Sequence, residues 1–189
     1  MSKAIELKPP TPLPKPDDSA FKVFLAGSID MGNAAYWRGT LVKHFDENDD
    51  IVFLNPRRDD WDSTWEQTIE NQNFREQVEW ELDGLDMADL IVMYLQPETI
   101  SPVSLLELGA HLNSGRVVVL CPEGYFRKGN VDITCKRYGV PTVADFDELK
   151  QFIEAKFRAR RRSGHGVALA SAVAITVGLV AGFHFSRKS

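Results

Sequence analysis

Residues 88–121 read ADLIVMYLQPETISPVSLLELGAHLNSGRVVVLC. Two apolar runs, Leu90–Tyr94 and Val117–Leu120, bracket a helical pattern over Pro102–Ser114. Neither run alternates polar with apolar residues, which is the pattern of strands covered on both faces. A strand–helix–strand unit of this length implies two parallel strands joined by a crossover helix. Ser101 is placed to cap that helix, with Pro102 at its first position and Gly115 as its stop.

The same pattern extends in both directions. Strands are expected at Lys22–Ala26 and Ile51–Leu54, with a weaker one at Thr142–Val143. Helices are expected at Ala34–Phe45, Asn73–Ala88 and Asp145–Arg160. Asp145 and Glu148 have the spacing of a capping box. Alternating strands and helices predict an α/β fold: a five-stranded parallel sheet of flavodoxin-like order, with helices on both faces. There is no internal repeat. Residues 1–20 hold five of the ten prolines and read as a flexible leader, a plain linker in preference to a docking segment for an SH3-like partner. The folded domain is expected over residues 21–162, and a C-terminal anchor with a short basic tail over 163–189.

Composition fits this division. The chain has 189 residues, 43% hydrophobic and 26% charged, a globular profile. Two cysteines, Cys121 and Cys135, are too few for a disulfide framework, and no Cys/His cluster suggests a metal. Neither a cofactor nor a metal is expected. The N-terminal residues contain no apolar run, so no cleaved secretory signal is expected. Residues 1–150 carry 15 Lys and Arg against 26 Asp and Glu, and residues 151–189 carry 7 against 1. A domain so acidic is not expected to bind nucleic acid.

The basic part borders Val167–Phe185, VALASAVAITVGLVAGFHF, which contains no Asp, Glu, Lys or Arg. As a helix these residues span ~28 Å, about one hydrocarbon core. Arg158, Arg160, Arg161 and Arg162 precede the run, and Arg187 and Lys188 follow it. A single-pass transmembrane tail anchor with the domain facing the cytosol is therefore expected. In a eukaryote its short, moderately apolar span and basic flanks point to the mitochondrial outer membrane or the peroxisome. Gly166, Ala170, Ala174, Gly178 and Gly182 recur every four residues. Such a stripe lets two helices approach closely and is expected to reinforce a dimer.

In an open parallel sheet, ligands sit beyond the carboxyl ends of the strands. The loops expected there include Gly27-Ser28, Asn55–Asp60, Gln96–Ser101 and Cys121–Gly124. Glu107 lies about two turns into the helix that begins at this rim, off the stripe made by Leu105, Leu108 and Leu112. The helix dipole is expected to keep it ionised. A sheltered, ionised carboxylate suits a nucleophile toward an acetal-like carbon, and the spacing equally fits a solvated helix glutamate. Glu79, Glu81, Asp83, Asp86 and Asp89 crowd one helix end and the next strand. Such crowding raises some carboxyl pKa values, which suits a general acid, and it also fits a solvated acidic face. Arg57 and Arg58 can hold a phosphate or carboxylate, or can pair with Asp59, Asp60 or Asp62. Trp61 and Trp65 can stack on a flat ring or pack on each other. His44 and His111 have no nucleophile at a telling spacing, so no Ser–His–Asp triad is indicated.

The segments VFLAGSIDMG, LNPRRDDWD, ADLIVMY and SPVSLLELGAHLNSGRVVVLCPEG, in this order, resemble the nucleoside 2-deoxyribosyltransferase family. The likeness covers about residues 21–150 and is closest to a branch with LAGSIxMG, LNPRRDDWD and SPxSLLELG. It implies a flavodoxin-like fold and cleavage of the N-glycosidic bond of 2′-deoxynucleosides or their monophosphates. By resemblance, Glu107 is the nucleophile and Glu81 takes the position of the family's aspartate near the base. Asp89 matches a carboxylate at the start of the third strand. Phe24 and Ser101 stand where the family often has tyrosine and aspartate. With Gly27, Ser28, Arg57, Arg58 and Ser104 they complete the expected substrate contacts. The family's sites are often completed by a neighbouring subunit, so a homodimer or larger oligomer is expected. The expected activity is 2-deoxyribosyl transfer through a glutamyl–sugar intermediate at a membrane. The alternatives are a hydrolytic nucleotide N-glycosidase and a non-catalytic nucleotide-binding sensor or scaffold.

Overall fold

The structure is a computed structural model that describes residues 4–28 and 37–163. It contains the strands β1 (Ile5–Leu7), β2 (Phe21–Gly27), β3 (Ile51–Leu54), β4 (Leu90–Tyr94), β5 (Val117–Leu120) and β6 (Thr142–Val143). Its helices are α1 (Trp37–His44), α2 (Gln72–Met87), α3 (Pro102–His111), α4 (Lys128–Tyr138) and α5 (residues 146–163). The strands form one sheet in the order β1-β3-β2-β4-β5-β6, and each neighbouring pair is parallel.

The five expected strands are all present and stand in flavodoxin-like order. The sheet has a sixth strand, which corrects the expected five. It is β1, inside the segment read as a leader, where Ile5, Glu6 and Leu7 pair with Val52, Phe53 and Leu54. Three residues beside a proline run give no periodicity to read. Tertiary contacts hold the segment instead: Trp80 Nε1 donates to the Thr11 carbonyl at 2.8 Å, and Leu7 and Leu13 pack against the core. Lys8 pairs with Asp59 at 3.0 Å.

Residues of β2 to β5 are buried throughout, as non-alternating strands require. One face carries Phe24, Leu54, Met93 and Val119 in a cluster with Trp80, Leu108, Val131 and Cys135 of α2, α3 and α4. The opposite face carries α1, where Phe45 meets Phe53 at 5.7 Å and Trp37 meets Tyr94 at 5.5 Å. Helix α4 has no counterpart in the sequence reading. Its KGNVDITCKRY buries only Val131 and Cys135, one turn apart, and includes weak helix formers.

The caps are partly as expected. Asp145 Oδ1 accepts from the Glu148 amide at 2.9 Å, and Glu148 reaches back to the Ala144 amide at 2.8 Å. Ser101 precedes α3 but does not cap it. Its backbone is left-handed, with φ 45° and ψ 56°, and its hydroxyl turns to Ser28. Helix α3 ends at His111, three residues before the expected Ser114.

The chain divides into two compact units after Gln151. The sheet lies in the first. In the second, Glu154 and Arg158 form an ion pair at 2.9 Å. Among the described residues no helix is long and apolar enough to cross a membrane. The expected anchor, Val167–Phe185, lies outside the described residues.

Candidate functional site

The site is built at the carboxyl end of the sheet. Strand β2 ends at Gly27, whose φ is +124°. A Cβ there would lie 2.1 Å from the Tyr94 carbonyl oxygen, so only glycine fits beside β4. Next to it Ser28 is fully buried, and its amide donates to the Tyr94 carbonyl at 2.9 Å. The Ser28 hydroxyl accepts from the Gln96 amide at 2.9 Å and from the Ser101 hydroxyl at 2.7 Å. It also meets Thr99 Oγ1 at 2.7 Å, and Thr99 in turn donates to the Gln96 carbonyl at 2.8 Å. The hydroxyl protons then run in one direction, from Ser101 to Ser28 to Thr99 to the carbonyl. This cluster ties the β2 loop to the β4 loop. That loop holds Glu98 and Ser101 at positive φ, 64° and 45°, a strained arrangement for side chains other than glycine.

Beside this cluster Arg38 is almost completely buried. Its guanidinium donates to the carbonyls of Leu25 (3.0 Å), Gly27 (3.1 Å) and Ser28 (3.3 Å). Two of its five N–H groups remain after these three. Burial and the nearby Arg57 pull its pKa down to about 10, while the charges of Glu107, Glu81 and Glu6 oppose the shift. It is therefore a cation at neutral pH, fixed in place by the backbone of β2.

Glu81 on α2 and Glu107 on α3 face this cation electrostatically. Burial raises the Glu81 carboxyl above its ordinary range, against a hydrogen bond from Gln77 and the charge of Arg38. Burial and the charge of Glu81 push Glu107 up to about 7, against Arg38. Glu107 was expected to stay ionised near the start of its helix. Desolvation and a neighbouring carboxylate outweigh the dipole, which is worth at most ~2 kcal/mol in a partly buried site. Burial and the charge of Glu81 thus favour a proton on Glu107 near neutrality.

The other expected site residues fall into three groups. Asn55 accepts from the Arg57 amide at 3.0 Å and donates to Glu6 at 2.7 Å, which fixes the loop after β3. Arg57 is exposed there, and its side chain has no ion pair among the described residues. Arg58 is occupied. It pairs with Asp60 at 2.7 Å and lies 4.9 Å from the Trp65 ring, while Trp61 and Trp65 pack on each other. Phe24 is fully buried in the core, tilted against Trp80 and filling the space over Gly84. Ser104 is buried on α3. Asp89 lies at the opposite, amino end of β4, where it accepts from the Lys22 amide at 2.9 Å. Its observed bond joins β2 to β4.

Two residues of the site escaped the sequence reading. Arg38 stands one turn before Leu41, Val42 and Phe45, and Gln77 one turn before Trp80. Each is a polar side chain on a buried stripe, and that placement was the available signal. Gln77 is 4% exposed. Its Nε2 donates to Glu81 Oε1 and to the Pro56 carbonyl, both at 2.8 Å. Among the described residues its Oε1 is buried without a partner, as are Gln96 Oε1 and Trp37 Nε1. Three orphaned polar atoms near one sheet end are costly in a core of otherwise apolar strands, at about 1–3 kcal/mol each. An apolar groove of about 340 Å³ lies elsewhere, between α3 and α4, and includes none of the expected site residues.

Comparison with known proteins agrees with this architecture. Residues 20–125 match the family described as "Nucleoside 2-deoxyribosyltransferase like". No curated protein matches the chain. Among solved structures, the chain is similar to a conserved protein from Enterococcus faecalis V583, with 16% identity and a TM-score of 0.53. That match covers 72% of this chain and 99% of the other, and at this identity it shows the fold alone.

Proposed function

The chain belongs to the nucleoside 2-deoxyribosyltransferase-like family, and on that premise we propose that it breaks the N-glycosidic bond of a 2′-deoxynucleoside or its monophosphate. The observation that carries the proposal is the coupled Glu81–Glu107 pair facing the buried Arg38. In the proposed reaction a Glu107 oxygen bonds to the anomeric carbon. The carbon–nitrogen bond breaks, and its electron pair leaves with the base. The base takes the proton held by the carboxyl pair, delivered through Glu81. A second base then attacks the anomeric carbon and releases Glu107. With water as the second acceptor the same intermediate gives hydrolysis.

Arg57 supports a phosphorylated substrate. It is a cation without an ion pair among the described residues, close enough to Arg38 to depress that group. Arg58, Ser28 and Ser101 are engaged with protein partners. The test is chromatographic separation of free base from nucleoside. The panel spans purine and pyrimidine nucleosides, their 2′-deoxy forms, their monophosphates and NAD. Identical traces from the unmodified protein and Glu107→Ala across the panel would leave the sensor or scaffold reading in its place.

The pair also sets a pH dependence. The reactive form holds one proton: an ionised nucleophile and a proton for the base. The last proton leaves near pH 7, because burial and the charge of Glu81 raise Glu107 to about that value. For bases that need protonation, kcat/KM is expected to fall as pH rises through about 7. Glu81→Gln removes both the donor and the charge that raises Glu107. Its residual activity, ~10²-fold lower or less, is expected to rise with pH instead, through a midpoint below 7. A pH–rate series on both proteins checks this, and superimposable profiles would remove Glu81 from proton transfer.

We propose further that Val167–Phe185 anchors the enzyme in a membrane with its domain on the cytosolic side. The 19-residue run without Asp, Glu, Lys or Arg, between basic flanks, supports this reading. Full-length protein should resist carbonate extraction from membranes, and a chain ending at Arg160 should not. A full-length protein found in the carbonate supernatant sinks the anchor.

A further inference from the structure

The amide of Gln77 can take only one orientation. The Pro56 carbonyl has no proton to give, so it must face Nε2 and not Oε1. The second Nε2 proton is then directed at Glu81 Oε1, also at 2.8 Å. Both donors are spent, and among the described residues Oε1 is left buried with no partner. Rotating the amide would set Oε1 against the Pro56 carbonyl oxygen, two acceptors with no proton between them, even if a protonated Glu81 could donate to it. The observed arrangement accepts an orphaned oxygen in exchange for a donor aimed permanently at Glu81.

From this geometry we infer that Gln77 is a positioning residue that holds Glu81 as a hydrogen-bond acceptor, so that the proton of the carboxyl pair rests on Glu107 until substrate binds. The inference depends on the proposed function only for its catalytic meaning. The proton that Glu107 must release before its oxygen can attack is then the one the leaving base acquires. No proton need enter from solvent during cleavage. The charged groups around the pair act alongside Gln77. Arg38 from α1 favours the ionised form of both carboxyls, Glu81 and Glu107 oppose each other, and Glu6 of β1 and Arg57 of the β3 loop act on Arg38. Among the described residues, Gln77 alone hydrogen-bonds one of the two carboxylates and not the other.

The test is carbon-13 NMR of the full-length chain labelled at the glutamate carboxyl carbons, titrated without substrate. Glu81→Gln and Glu107→Gln assign the two signals. In the unmodified protein Glu81 is expected to titrate at lower pH than Glu107. In Gln77→Met, which keeps the side chain's length and removes its donors, the Glu81 midpoint is expected to move up toward that of Glu107. Gln77→Leu serves as a second variant, and melting temperatures verify that each is folded. If Glu107 titrates first in the unmodified protein, the inference is overturned whatever the variants do. It is equally overturned if Glu81 does not move in the folded variant. Because the readout needs no turnover, a protein that cleaves no nucleoside yet shows the expected titrations would sink the proposed function and leave the role of Gln77 intact.

Discussion

Glu107→Gln is expected to lower the rate of N-glycosidic cleavage by about 10³-fold or more, equivalent to ~4 kcal/mol of barrier. The amide has nearly the same shape but cannot form the covalent sugar intermediate. Retention of more than about a tenth of the activity would demote Glu107 to a structural part. The same substitution carries a second, opposite expectation. The folded protein raises Glu107 from an ordinary value to about 7, so ionising it works against the fold. That cost is absent below the unfolded value, grows as pH rises toward 7, and is complete above it. Glu107→Gln removes it. Allowing for partial exposure, the gain is on the order of 2 kcal/mol at pH 8, or about 5 °C in Tm, with none at pH 4. Thermal melts of the two proteins at both pH values check this. Loss of activity together with added stability at high pH is the signature of a residue kept for chemistry.

Gly27→Ala is expected to be the most damaging small change to the fold, costing about 4 kcal/mol or more. The new Cβ would sit 2.1 Å from the Tyr94 oxygen, and φ of +124° is a conformation that side chains avoid. The obstacle is backbone at the carboxyl end of the β2–β4 pair, so no rotamer change relieves it. Relief would separate the strands, breaking the Ser28 amide bond to Tyr94 and displacing two of the three carbonyls that hold Arg38. Urea denaturation and soluble yield measure the effect. A variant within 1 kcal/mol of the unmodified protein would mean that the β2 end is far more pliant than its packing implies.

The parts of the molecule that announced themselves are those in which burial acts on whole runs of residues. LIVMY and VVVL are strands because both faces are covered, and their order follows from the crossovers between them. Glu107 was visible because it is a charge in an unusually apolar helix. Arg38 and Gln77 were not, because their helical positions are ordinary for Arg and Gln. Only the knowledge that those positions are buried makes them informative. The orientation of Ser101 was equally hidden. A serine before a proline-led helix is normally a cap, and only the loop's left-handed turn sends its hydroxyl to Ser28. The rise in the Glu107 pKa came from burial, and then from Glu81, 26 positions earlier, acting on it from another helix. β1 was missed because three residues can join a sheet on a neighbour's register alone.

The two outermost strands have a consequence for how the protein behaves when crowded. A free sheet edge is a template on which another chain can add a strand. Here the outer strands are three and two residues long. β1 is followed after one residue by Pro9 and Pro10, and β6 is preceded by Pro141. A proline has no amide proton to offer, so β1 cannot lengthen past Pro9, nor β6 back past Pro141, as a continuous ladder. At high local concentration the two short edges therefore offer few groups to an incoming strand, which disfavours fibril-like growth by strand addition.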